Sequence, residues 1–493
     1  MNRRAVLSAI AICSVLVLAG AALDAQFSML KPVPTSGSTM SMLPMIKVGP
    51  QAIPAAATGP NYGLFTCQIV NLSPTATCYD PYQMRHAYNV DTLINAGFDG
   101  RGKTIIIVDA FQSPTLVTDL NYFNTFYGLP SLNGLGGPPD ASLGTFTQVA
   151  PDGLGPPDSG WAGEITLDVL WAHAIAPGAN IVLVLAKSNF DTDILSATKY
   201  AVDHNLGDVI SQSFGENESC MDPTLLAQEH QVFANATMKN ITIFASSGDD
   251  GAAQPTCDGA TAVKAASSPA TDPLVTAVGG TELHAARYCL TTTTPACVPA
   301  ANPAPGTYQG EIVWNEDATG FGATGGGFSV LYDEPSYQQG TIHGGKQRGE
   351  ADVSYNAAVL HGVLVRFTGV WYLFGGTSAG SPQWAAITAI ADQQAGHNLG
   401  FINKALYHIG QAQGHYAATF HDVTSGDNTA FGVQGFSAGP GWDAPTGLGS
   451  PTTDQIAFYL AQFVSPGDGT SAIAGSKPHP NGKATAPGHV KPH

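Results

Sequence analysis

The sequence predicts an α/β fold with a mainly parallel central sheet flanked by helices, and three observations carry that prediction. Short, almost wholly apolar runs such as Thr104 to Val108 and Ile181 to Ala186 recur along the chain, as expected of strands buried on both faces. Stretches with the three-to-four-residue apolar period of a helix alternate with them. The 493 residues, 44% hydrophobic and only 11% charged, suffice to cover such a sheet with a substantial core.

Taken in order, Asn2-Arg3-Arg4 precedes an apolar run from Ala5 to Ala22, with small residues at Ala19, Ala21 and Ala25. This reads as a secretory signal over residues 1–25, the alternative being an uncleaved anchor near the length of a membrane span. No second such run occurs, so an exported chain without stable membrane association is expected. Residues 26–80 are rich in Pro, Ala, Thr and Met without sustained periodicity and read as a short pro-segment or N-terminal arm. Residues 81–463 form the domain proper, and residues 464–493, a mixture of Gly, Pro, Lys and His, read as a disordered tail.

Within the domain, Thr104 to Val108 is a strand, and Ser113-Pro114 caps a helix carrying Leu116, Leu120, Phe123 and Tyr127 on one face, with Gly128 as its stop. Trp161 to Ala176 is a second helix, ending before Pro177-Gly178. Ile181 to Ala186 is a strand and Asp193 to His204 a helix. Val209 to Ser213, Ile241 to Ser247 and Leu274 to Val278 are further strands. Val370 to Phe374 is a buried strand, Gly375-Gly376-Thr377 a turn, and Ala379 onward an alanine-rich core helix. In such folds ligands gather beyond the C-terminal ends of the strands.

A net charge of −18 with pI near 5.0 argues against nucleic acid or an anionic membrane as partner. Cys13 lies in the signal, and the six other cysteines suggest neighbour pairs Cys67–Cys78, Cys220–Cys257 and Cys289–Cys297, in keeping with export. No C-x-x-C spacing occurs, which disfavours zinc.

The chemistry collects on three stretches. Ser378 sits at the turn before a helix, where unpaired backbone N–H groups favour developing negative charge. It can be a nucleophile or a simple N-cap. Gly376-Thr-Ser378-Ala-Gly380 satisfies the G-x-S-x-G elbow of α/β-hydrolases, while Gly375-Gly-Thr-Ser378-Ala-Gly-Ser-Pro382 is also similar to the serine box of subtilisin-like enzymes. Glu164 and Asp168, four residues apart, share the helical face that continues to Trp171, Ala172 and Ile175, so one proton is expected to be shared and one pKa raised. Asp249 follows a strand in Gly248-Asp249-Asp250-Gly251, as a turn former or as an acid at the site edge.

Together these stretches resemble one family, the sedolisins, which are acid-acting serine-carboxyl peptidases of subtilisin-like fold. The resemblance runs from about Tyr82 to about Phe463 and includes Asn95 to Asp109, the Glu164/Asp168 helix with Ala174 to Ala179, Ser246-Ser-Gly-Asp249, Val275 to Thr281 and the Ser378 box. It implies a three-layer fold with Ser378 as nucleophile, Glu164 as general base, Asp168 as its orienting carboxylate and Asp249 as the acid at the oxyanion. It also implies one structural Ca2+, bound by the side chains of Asp422 and Asp443 and the main chain of Val423, Gly439 and Gly441. Without the resemblance, Gly439-Pro-Gly441-Trp-Asp443 would be an ordinary loop. The expected substrates are proteins or peptides and the expected state a monomer.

Rival readings remain. An ordinary subtilase would need a histidine in an H-G-T context, and none follows Asp109; His173 lies in an apolar helix and reads as core. An α/β-hydrolase-type esterase would need an acid and a histidine after Ser378, where Asp392 and Asp427 are poorly placed. An inactive calcium-stabilised homologue would not be expected to keep all four site residues. Two features depart from the family pattern: the N-terminal segment is short for a pro-region, and the S-x-S-W-G string reads Ser211-Gln-Ser-Phe214-Gly215, whose Phe214 cannot donate a hydrogen bond.

Overall fold

The structure is a computed structural model that describes residues 41–55, 63–70, 72–73, 75–289, 304–342 and 346–464. The N-terminal signal pattern, Cys297 and the tail beyond Val464 lie outside these residues.

The N-terminal part contributes β1 (Leu43–Pro44), β2 (Lys47–Gln51) and β3 (Thr77–Tyr79). Then follow β4 (Thr104–Ala110), α1 (Leu116–Tyr127), β5 (Phe146–Val149), α2 (Ser159–Ile175), β6 (Asn180–Ala186), α3 (Asp191–Asp203), β7 (Val209–Gln212), β8 (Phe214–Asn217), α4 (Pro223–Met238), β9 (Thr242–Ser246) and β10 (Thr276–Ala285). β11 (Tyr308–Val313), β12 (Val353–Asn356), β13 (His361–Phe367), β14 (Val370–Gly375), α5 (Gly380–Ala395) and α6 (Thr453–Phe463) complete the elements used below.

The central sheet has the order β11-β10-β9-β7-β4-β6-β5, with β12 also beside β10, and every pairing except β10 with β11 is parallel. Helices α2 and α5 pack together on one face, and α3 and α4 together on the other. The β4 run shows why these strands are apolar throughout. Ile105 and Ile107 belong to the larger apolar cluster, whereas Ile106 and Val108 belong to a second one, and all four are fully buried. Alternate side chains of one strand thus fill both cores. This is the three-layer α/β arrangement expected.

Three local readings differ. Gly128 does stop α1 in the left-handed region, at φ 64°, but Ser113 does not cap the helix. Its Oγ lies 3.0 Å from Thr166 Oγ1 on α2, because the chain from Pro114 takes another turn's length before the helix starts. The strand before Ser378, β14, is buried but lies outside the parallel sheet. It pairs antiparallel with β13 and β2 in a separate sheet ordered β2-β14-β13-β3. Apolar content signals burial and leaves the choice of partner strand open.

The arm expected over residues 26–80 has no helical or strand period, yet its described parts supply both outer strands of that second sheet. Pairing at a sheet edge uses backbone groups, which leave no mark in side-chain pattern. The described parts of the arm are thus packed into the second sheet. Cys67–Cys78 and Cys220–Cys257 are bridged as their spacing suggests, each with Cα atoms 5.2 Å apart. His173 is a core residue whose ring nitrogen lies 2.8 Å from Pro130 O, and burial holds its pKa down at about 4.

Candidate active site

Asp158 starts α2 by accepting the Trp161 N–H at 3.0 Å, and from Trp161 to Ile175 every residue of the helix is buried. A helix with no wet face carries its acids inward wherever they stand. Glu164 and Asp168, one turn apart, are both fully buried. Asp109, near the C-terminal end of β4, is buried with them.

Burial pushes Asp168 up to about 8, with the Ser213 hydroxyl and Glu164 pulling it partway back. Glu164 stands well above the usual carboxylate range through burial and then through Asp168 and Asp109, while the Ser378 hydroxyl draws it down. Asp109 is raised by burial and by Asp168. Beyond the Ser213 and Ser378 hydroxyls little else reaches these buried oxygens, so the three carboxyls share protons among themselves and titrate together. From the sequence, Asp109 stands out only as the acid of an ordinary subtilase. The signal that could have placed it in this cluster is a carboxylate ending an otherwise apolar buried strand.

Ser378 lies in a single 3-10 turn, Thr377–Ala379, that leads into α5. Its Oγ is 3.3 Å from Ser213 O, at the end of β7. The preceding Gly376 has φ 97°, and a Cβ there would stand 2.5 Å from both Asp249 Oδ2 and Met45 O. Only glycine lets the chain pass so close to those two oxygens.

Asp249, just past β9, accepts the Thr377 N–H at 2.8 Å and the Thr377 hydroxyl at 2.9 Å, both on Oδ1. Its Oδ2 is buried without an ordinary donor. Burial pushes its pKa up to about 7, against the opposing pull of Lys47 and of Thr377. Below that pH, Oδ2 carries a proton it can donate. The Ser378 N–H donates 3.1 Å to Met45 O, and that carbonyl oxygen and Asp249 Oδ2 both lie against Gly376. The serine and the three acids that the sequence singles out therefore meet in one place, at the C-terminal ends of β4, β7 and β9. Phe214 packs its buried ring 5.9 Å from that of Trp161 and forms an apolar wall.

The predicted metal residues also come together in part. Asp422 accepts the Tyr416 hydroxyl at 2.9 Å and the Gly441 N–H at 3.1 and 3.2 Å on its two oxygens. Asp443 accepts the Gly439 N–H at 3.1 Å and, on its other oxygen, the N–H and hydroxyl of Thr446. Burial first, with the charge of Asp422 adding to it, pushes Asp443 up to about 6 despite these bonds. A hard divalent cation would relieve that pair, so the donor set fits calcium. Val423 is buried beside Asp422 in the chain. Among the described residues, the other metal-like grouping is Glu282, His284 and His361, whose donor atoms lie within 4.8 Å of one another. Its two imidazoles suit a softer metal than calcium.

The sequence profile of the subtilase family matches residues 158–401, just under half of the chain. Kumamolisin of Bacillus sp. (strain MN-32) is 32% identical over 417 residues, covering 82% of this chain and 66% of that protein. Sedolisin of Pseudomonas sp. (strain 101) is 31% identical over 401 residues, covering 78% of this chain and 62% of that protein. The chain belongs to the sedolisin family. The solved structure of Pseudomonas sedolisin, a serine-carboxyl proteinase complexed with two molecules of pseudo-iodotyrostatin, superposes with a TM-score of 0.66 at 28% identity, covering 79% of this chain and all of that one. The α/β architecture is thus the subtilisin-like one of the sedolisins. This chain spans about two thirds or less of the length of the sedolisin relatives named here.

Proposed function

We propose that this chain is a secreted, acid-acting serine-carboxyl peptidase that cleaves proteins or peptides. The observation that carries the reading is the grouping of Ser378 with the buried carboxyls Glu164, Asp168 and Asp249, the Ser378 hydroxyl acting on Glu164 and Asp249 lying against Gly376 just before the serine. Ser378 Oγ attacks the carbonyl carbon and its proton passes to Glu164, which later returns it to the leaving amine. Asp168 orients Glu164 and shares its proton. The tetrahedral oxygen is stabilised by the Ser378 N–H and by Asp249, which must be protonated, since an ionised carboxylate would repel the oxyanion.

This assignment sets the pH dependence. Activity is lost as pH rises through about 7, where Asp249 gives up its proton. Initial rates on a denatured protein substrate across pH, with and without Ser378→Ala, test it. An acid maximum that vanishes in the variant is expected; an alkaline maximum, or ester hydrolysis without peptide hydrolysis, would refute it. The esterase alternative also meets a structural obstacle, because an α/β-hydrolase elbow follows a strand of the central sheet and β14 is not one.

Export is supported by the N-terminal signal pattern, by the two described disulfides and by the fact that no helix among the described residues is long and apolar enough to cross a membrane. One structural Ca2+ belongs to the same proposal, held by the Asp422 and Asp443 carboxylates with main-chain oxygens of Val423, Gly439 and Gly441. When bound it would neutralise the acid pair and brace the loop before α6, apart from the chemistry. Chelation is expected to lower the melting temperature, and Asp443→Ala to remove that sensitivity. A melting temperature indifferent to both chelator and added calcium would sink the calcium assignment.

A further inference from the structure

Near its end β10 alternates between a buried face and a half-open one. Leu283 is fully buried, whereas Glu282 and His284 on either side of it point the other way and share one face of the strand. Opposite His284 on β11 stands Gly310, where an added Cβ would meet nothing within 4 Å among the described residues, so the space beside the imidazole is open. His361, the first residue of β13, brings its ring to the same place. Its centroid is 4.9 Å from that of His284, with the two planes at 75°.

The donor atoms converge as a cation requires. Glu282 Oε1 lies 3.3 Å from His284 Nε2 and 3.7 Å from His361 Nε2, and all three atoms lie within 4.8 Å of one another. Around a tetrahedral ion with bonds of about 2.0–2.1 Å, neighbouring ligand atoms stand about 3.3–3.4 Å apart. Two edges of that tetrahedron are therefore nearly formed. The tautomer of His361 is set by its other nitrogen. Nδ1 lies 3.0 Å from Leu283 O, which can only accept, so Nδ1 carries the hydrogen and Nε2 of the neutral ring turns its lone pair toward the Glu282 carboxylate. At 3.7 Å that pair is too long for a hydrogen bond, and a cation between the two acceptors satisfies both. A backbone carbonyl on the far nitrogen is also what orients metal-bound imidazoles. Asn356 braces the frame, accepting the Leu283 N–H at 3.0 Å and donating its amide to His361 O at 2.8 Å, so the two ligand-bearing strands are locked to one another.

We propose that Glu282, His284 and His361 bind one divalent transition-metal ion of the zinc class, with a fourth position left to water. Two imidazoles and a carboxylate are a set that such ions favour over calcium or magnesium. The lack of a C-x-x-C spacing does not bear on it, because no thiolate takes part. The site shares no residue with the Asp422 and Asp443 pair or with the Ser378 cluster, and it does not depend on the peptidase reading. Its consequence is mechanical. β10 belongs to the central sheet, and β13 to the second sheet, whose β14 leads into the Ser378 turn, so the ion clips the two sheets together.

The test is calorimetric titration of the chelator-stripped chain with Zn2+ at neutral pH, where the imidazoles are free to bind, in a buffer with excess Ca2+. The histidines beyond Val464, His479, His489 and His493, can take up the same ion, so the reference protein carries all three as Ala. It is expected to bind one equivalent of Zn2+ and to melt at a higher temperature with the ion than without. His361→Gln, His284→Gln and Glu282→Gln should each weaken binding by more than the roughly 10- to 100-fold typical of losing an outer-shell partner, and should remove the rise in melting temperature. All three side chains are only half-buried, so the variants should fold, and a metal-free melting temperature close to the reference verifies it. Zinc uptake that disappears with the three tail histidines, or that is unchanged in the three site variants, would overturn the inference.

Discussion

Replacing Glu164 by Gln is expected to abolish peptide turnover as thoroughly as replacing Ser378 by Ala, each by on the order of 10⁴- to 10⁶-fold in kcat, with the double variant no worse than either. Gln is nearly the same shape and would fill the same buried slot, so the change removes the proton acceptor and little else. Ser378 without its acceptor must lose its proton to a cluster in which Asp168 and Asp109 are already raised by burial. Neither has the serine hydroxyl as a partner, so neither is positioned to take over. Measured kcat of the two single variants and the double decides the point: if Glu164→Gln keeps more than about a tenth of the activity, the base is another group.

The second large effect is on stability. Burial raises Asp168 and Asp392 to about 8 and Asp249 and Glu218 to about 7, and it raises Glu164, Glu229 and Glu350 well above the carboxylate range. In the unfolded chain such groups titrate near 4. Between about pH 4 and 8 the folded protein therefore holds more protons than the unfolded one, and stability must fall as pH rises. The contribution of each group is fully present below its unfolded pKa and is lost as its folded pKa is passed. Every tenfold difference in proton affinity between the folded and unfolded chain is worth about 1.4 kcal/mol. His173, held at about 4, acts the other way, but it is one group against many. The melting temperature is expected to be clearly higher at pH 4 to 5 than at pH 8. An equal or higher value at pH 8 would mean that these carboxyls are ionised in the folded state. The same burial on which the proposed acid catalysis rests is thus expected to favour an acid-stable fold.

Much of the site was legible in local pattern. Apolar runs announced the buried parallel strands, since a strand covered on both faces has no polar position to spare. A four-residue spacing put Glu164 and Asp168 on one face, and a glycine turn before a helix marked Ser378. Asp249, past the end of a strand of the same sheet, read equally as a turn former, and only the family resemblance singled it out. Features that arise between distant segments became visible only in the folded molecule. Asp109 joins the carboxyl cluster because β4 and α2 pack together. β14 left the parallel sheet for a partner that no apolar count could name. The segment from Ser41 to Lys47 lacks any periodicity because main-chain bonds hold it, and such bonds are the same for every sequence. Its place in the cleft depends on the shape of Gly215, Gly248 and Gly376 more than 150 residues away, and that shape exists only once the chain has folded.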